Sequence, residues 1–94
     1  MMNREMENEI AIVTGAGRGI GADIAMTLAS AGCRVIVNYR ESEEQANALV
    51  AKINQSGGTA LAVRADVTQF EDVQSLLSQT VEQFGAPTIL VNNV

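Results

Sequence analysis

Residues 14–21 read TGAGRGIG, with glycine at Gly15, Gly17, Gly19 and Gly21 and a cation, Arg18, among them. The stretch follows the apolar run IAIV and precedes ADIAMTLASAG, which has helical spacing. A strand that turns at once into a helix leaves free N–H groups at the helix start, and those groups and the helix dipole attract an anion. A side chain on such a turn would hold the anion off, so glycine is needed where a phosphate comes close. The pattern T-G-x-x-x-G-x-G fits at Thr14, Gly15, Gly19 and Gly21. The G-x-G-x-x-G spacing does not, because a start at Gly15 puts Ile20 at the third glycine. The G-x-x-x-x-G-K-[ST] phosphate loop fails too, since the chain's lysine is Lys52. The ligand this turn suits is a pyrophosphate resting on the backbone of residues 15–21. Gly15 and Gly19 read as surface-turn positions, where valine would block a ligand at little cost to the fold.

Three further groups recur at the ends of apolar runs: Tyr39 and Arg40, Asp66 and Val67, and Asn92 and Asn93. A site for an unphosphorylated adenine dinucleotide usually has an acid about 20 residues past the glycine turn, bonding the ribose 2′-hydroxyl. Here that slot holds Tyr39, and Arg40 follows. A carboxylate would repel a 2′-phosphate, whereas a guanidinium binds one through two hydrogen bonds. Arg40 beside Glu41 also suits a solvated loop charge. Asp66 suits an N-cap near Thr68 as well as it suits a nucleotide contact.

These groups need a scaffold that brings them to one edge. EIAIVT (9–14), RVIVN (34–38), TALAVRA (59–65) and TILVNN (88–93) read as buried strands. Between them, Ile20, Ile24, Leu28 and Ala31 form one helical stripe stopped by Gly32. Ala46, Leu49, Val50 and Ile53 form a second, ended by Gly57-Gly58, and Val73, Leu76, Leu77, Val81 and Phe84 a third, ended by Gly85 and Pro87. Ser42 with Gln45 and Thr68 with Glu71 have the form of capping boxes. The order β-α-β-α-β-α-β implies an α/β fold, a doubly wound, Rossmann-like parallel sheet with strand order 3-2-1-4 and the third helix alone on its face. Residues 1–94 read as the N-terminal part of one dinucleotide-binding domain, with residues 1–8 a flexible lead.

The chain resembles the N-terminal part of a short-chain dehydrogenase/reductase, most of all the NADP-dependent 3-oxoacyl-(acyl carrier protein) reductase type. The likeness rests on TGAGRGIG, NYR, ADV (65–67) and NN (92–93), in order at successive strand ends, and it covers the chain after about residue 8. It implies NADP(H) as cofactor, in preference to NAD. Arg18 and Arg40 would sit on the 2′-phosphate, Asp66 and the Val67 N–H on adenine, and Asn92 and Asn93 on the ribose side. Gly15, Gly17, Gly19, Ile20 and Gly21 would form the phosphate turn. Val94 stands where the family usually has alanine, and a β-branched residue there would crowd the cofactor. The family reaction is hydride transfer between nicotinamide and a carbonyl or alcohol carbon, such as a 3-oxoacyl thioester, with a serine, a tyrosine and a lysine four residues after the tyrosine. No catalytic residue can be assigned here: the chain's tyrosine is Tyr39, and Glu43 stands where that lysine belongs. Two readings follow, the cofactor half of an oxidoreductase or a nucleotide- or partner-binding module that acts as it stands.

Composition narrows the partners. The net charge is −5 with six cationic residues in 94, so nucleic acid and anionic membrane are not expected partners. With no histidine and one cysteine, Cys33, zinc or haem ligation of the usual kinds is out of reach, and Cys33 reads as a small buried side chain. No apolar run approaches the ~20 residues of a membrane span. A cytoplasmic setting is expected, with a homo-oligomeric parent and a self-associating 94-residue piece, because the fourth strand would keep an unpaired edge.

Overall fold

Strand β1 (Ile10–Val13) lies between β2 (Arg34–Tyr39) and β4 (Ile89–Val91), and β3 (Thr59–Arg64) pairs on the far side of β2. All pairs are parallel and the order is β3-β2-β1-β4. Helices α1 (Gly19–Ser30), α2 (Glu43–Gln55) and α3 (Phe70–Gln83) make the crossovers. The doubly wound, Rossmann-like topology expected from the alternation of strands and helices is therefore formed. The structure is a computed structural model and describes residues 5–93. Of the expected lead, residues 1–4 lie outside the described residues, as does Val94. Residues 5–8 form a turn whose Met6 N–H donates to the Ala31 carbonyl at 2.9 Å.

Alternation along the strands sends two kinds of row to the two faces. Ile89, Ala11, Val35 and Ala60 stand in register across one face, followed by Val91, Val13, Val37 and Ala62. Leu90, Ile12, Ile36 and Leu61 make the row on the other. The first face is covered by α1 and α2 through Ala25, Ala29, Ala46, Leu49 and Ile53. The second is covered by α3 alone, through Leu76 over Ile12, Ile36 and Val63. Each fully buried valine or isoleucine in these rows contributes roughly 1.5–3 kcal/mol.

Two details differ from the sequence reading. The sheet-facing line of α1 is Gly21, Ala25 and Ala29, not the stripe of large residues. Ile24 and Leu28 flank it, half-buried, and Ile20 is 71% exposed. Small side chains let the helix backbone approach the sheet, and the bulky ones are displaced to the sides. Nor does either capping box form. Ser42 and Gln69 occupy the N-cap positions of α2 and α3, and neither makes a side-chain cap bond. Thr68 lies one residue too early, and its hydroxyl donates to Asp66 instead, at 2.6 Å. The starts of α2 and α3 carry acids in their first turns, Glu43 and Glu44, and Glu71 and Asp72, which oppose the helix dipole without a cap.

Candidate functional site

The start of α1 differs from those of α2 and α3. It has no acidic residue in its first turn and no side-chain cap at Arg18, so its first N–H groups have no protein acceptor within the helix. The turn before it is fixed by residues far away in sequence. Thr14 N–H donates to the Val91 carbonyl at 3.0 Å. Thr14 Oγ1 accepts the Asn93 N–H at 2.9 Å, with Asn92 Oδ1 within reach of its own hydrogen at 3.2 Å. The Asn93 side-chain amide donates to the Gly15 carbonyl at 3.1 Å.

Most of the turn's glycines answer to this packing rather than to a ligand. Gly15 has φ +59°, and a Cβ on it would overlap the Asn93 carbonyl oxygen. Its expected tolerance of a side chain is thus corrected: valine there strikes backbone. A Cβ on Gly17 would come within 2.9 Å of Ser42 Cβ, and one on Gly21 within 2.6 Å of Asn93 Nδ2. Gly19 is the exception. It has φ +65° and nothing within 4 Å of where a Cβ would lie, so that position faces open space. That space is a crevice of about 520 Å³ at the C-terminal ends of the strands.

Of the predicted residues, Gly15, Arg18, Gly19, Arg40, Asp66, Val67 and Asn93 line the crevice. The others stand back from it. Gly17 packs on the loop before α2, Gly21 on Gly15 and Asn93, and Tyr39 against the core beneath α1 and α2. Ile20 is exposed on the first turn of α1, and Asn92 lines an apolar groove on the α3 side of the sheet. The sequence reading passed over Thr14 as a wall of the crevice, and also Asn38, Ala65 and Thr68. Asn38 is 2% exposed. It donates to the Val63 and Ala65 carbonyls at 3.3 and 3.2 Å, and its Oδ1 accepts the Gly15 N–H at 3.4 Å. The available signal was an amide at the end of the β-branched run RVIV, where an apolar residue would have sufficed for a buried strand.

Asp66 is held on two sides. Its Oδ1 accepts the Thr68 N–H at 3.0 Å and the Thr68 hydroxyl, and its own N–H donates to Asp72 Oδ2 at 2.8 Å. Its Oδ2 lies 3.6 Å from Arg40 Nε. The Thr68 hydrogen bonds hold the Asp66 carboxyl below its ordinary value of 3.8, with smaller help from Arg40 and Arg64. Cys33 is a buried thiol pushed up chiefly by burial, so it is not poised as a nucleophile. Among the described residues no helix is long and apolar enough to cross a membrane.

The family described as short chain dehydrogenase matches this chain over residues 9–94. The chain belongs to the short-chain dehydrogenase family. Family members bind a nicotinamide dinucleotide, and the crevice suits one: an uncapped helix start, an open face at Gly19 and two arginines, Arg18 and Arg40, among its lining residues. The chain is 45% identical over 85 residues to a 3-oxoacyl-[acyl-carrier-protein] reductase of Synechocystis, covering 90% of this chain and 34% of that one. It is 47% identical over 89 residues to an uncharacterized oxidoreductase of Methylorubrum extorquens, covering 95% of this chain and 36% of the other. A solved dehydrogenase/reductase of Sinorhizobium meliloti superposes with a TM-score of 0.91 at 41% identity, covering 98% of this short-chain dehydrogenase chain and 36% of its own. The chain thus spans about a third of the length of these relatives.

Proposed function

We propose that these residues are the NADP(H)-binding part of an oxidoreductase that moves hydride between NADPH and a carbonyl, such as a 3-oxoacyl thioester. The observation that carries the reading is the pair Arg18 and Arg40 on the wall of the crevice that holds the uncapped α1 start, with Tyr39 rather than a carboxylate at the end of β2. The reductase of Synechocystis supports the substrate class. When bound, the dinucleotide would supply the hydride; this chain's residues would bind and orient it. The first turn of α1 would receive the pyrophosphate, Arg18 and Arg40 the 2′-phosphate, and Asp66 with the Val67 N–H the adenine edge. Asn93 would hold the turn and the ribose side in place. The acid and base of the reaction belong, in this reading, to residues outside the 94, consistent with relatives almost three times as long.

The test is a titration of NADP and NAD against the chain and its Arg40→Ala variant. A charge-assisted phosphate contact is worth about 1.5–3 kcal/mol, so NADP binding should weaken roughly 10- to 100-fold. NAD binding should move less than about twofold. Equal losses for both nucleotides would overturn the reading.

A further inference from the structure

The two groups assigned to opposite ends of the adenosine are bound to each other in the free protein. Arg40 Nε lies 3.6 Å from Asp66 Oδ2, and both side chains line the crevice. Asp66 Oδ1 is already committed to two donors of Thr68, so Oδ2 is the oxygen with room for a further donor, and the guanidinium stands on it. The two partners differ in freedom. Asp66 is 17% exposed and fixed through Thr68 and Asp72, whereas Arg40 is 63% exposed at the end of β2. An ion pair so open to water is easily exchanged, and the part that moves is the long arginine.

Resting on the NADP reading above, we propose that Asp66 sets how strongly the site prefers a 2′-phosphate, by holding Arg40 until a phosphate replaces it. The exchange gives the guanidinium one anion for another, and it clears Oδ2 for the N–H of an exocyclic amine. A nucleotide with both a 2′-phosphate and an adenine amine therefore satisfies both halves of the broken pair. A nucleotide with a 2′-hydroxyl leaves Arg40 on Asp66 and must share Oδ2 with it. The phosphate and the amine, at opposite ends of the adenosine, are thereby coupled.

Calorimetric titration of NADP and NAD against the chain, Asp66→Asn, Arg40→Ala and the double variant tests this. Asparagine keeps an Oδ1 acceptor for Thr68 and drops the charge. The ratio of NAD to NADP dissociation constants should rise about two- to fivefold in Asp66→Asn, and this gain should vanish in the Arg40→Ala background. A mutation-free arm uses the hypoxanthine analogues of both dinucleotides: loss of the amine should weaken NADP two- to fivefold more than NAD. An unchanged ratio in Asp66→Asn, a gain that persists without Arg40, or equal costs of the amine would each overturn the exchange. If Arg40→Ala weakens NADP while these outcomes fail, the exchange alone falls; if Arg40→Ala leaves NADP untouched, the NADP reading falls and takes the exchange with it.

Discussion

The two faces of the sheet are built from the same strands and end up in different conditions. Under α1 and α2 the rows are alanine and valine with Ile89 at the β4 edge, met by a helix line of Gly21, Ala25 and Ala29, and Gly21 leaves no room for a Cβ against Gly15 and Asn93. Under α3 the rows carry leucine and isoleucine, yet Leu76 is the one apolar α3 residue buried over them, the other buried α3 residue being Thr80. Leu90 is 69% exposed there, beside an apolar groove of about 390 Å³ that also involves Leu77. Size of side chain does not decide which face is sealed. Close approach by small residues seals the first, and on its upper rim the tight turn opens onto the crevice.

The sharpest way to break the comparison is at the seam of the sealed face. Gly15→Val adds left-handed strain and an overlap with the Asn93 carbonyl, and should cost about 3–5 kcal/mol, read as a shift in urea midpoint. Gly19→Val meets open space and should cost only about 1–2 kcal/mol while abolishing dinucleotide binding. Similar losses of stability at both positions would show that the turn is not seated on β4. On the other face, Leu76→Ala should cost about 2–4 kcal/mol, and Leu90→Ala within about 0.5 kcal/mol, the difference measuring how little of that face is closed.

A smaller effect separates polar support from packing. Asn38→Leu removes the donors to the Val63 and Ala65 carbonyls and the acceptor for Gly15, and should cost about 1–3 kcal/mol. Dinucleotide affinity should fall with it, since the turn loses its floor. An unchanged affinity would confine Asn38 to the core.

The smallest effect is a pH dependence. The Asp66 carboxyl is depressed below 3.8 in the folded chain, so the unfolded chain binds the proton first as pH falls. The stabilisation from the Asp66–Thr68 turn is therefore complete above about pH 5 and fades as pH drops through 3.8 toward the folded value. Thr68→Val should narrow that loss between pH 5 and 3 in urea titrations; an identical profile would remove Thr68 as the cause.

The order of elements, the parallel sheet and its 3-2-1-4 topology were legible because alternation, helical spacing and glycine stops are local signals. So were Arg18, Arg40, Asp66, Val67 and Asn93 as neighbours, since strand ends in a parallel sheet share an edge. Three things were not legible. The helix line of α1 follows from how near a backbone can come to a sheet, which hydrophobic spacing does not encode; the large residues Ile24 and Leu28 sit beside the contact. The glycines at 15, 17 and 21 are demanded by Asn93 and Ser42, partners up to 78 residues away. Thr68 reads as a cap by spacing but bonds backward to Asp66, a choice between two local geometries that a pattern of residue types does not rank.

The ties between Thr14, Gly15 and residues 91–93 also govern when the site can exist during synthesis. Those bonds span 77–79 residues of sequence, and β1 is the middle strand that needs β4 on one side and β2 on the other. A nascent chain that has released β1, α1 and β2 from the ribosome has every glycine of the turn and the Asn38 floor beneath it, but not the residues 91–93 that tie Thr14 and Gly15 down. The ties on the β4 side of the turn form only once residues 88–93 have emerged, so dinucleotide capture cannot assist the pairing of β1 with β2 and β3 that precedes them.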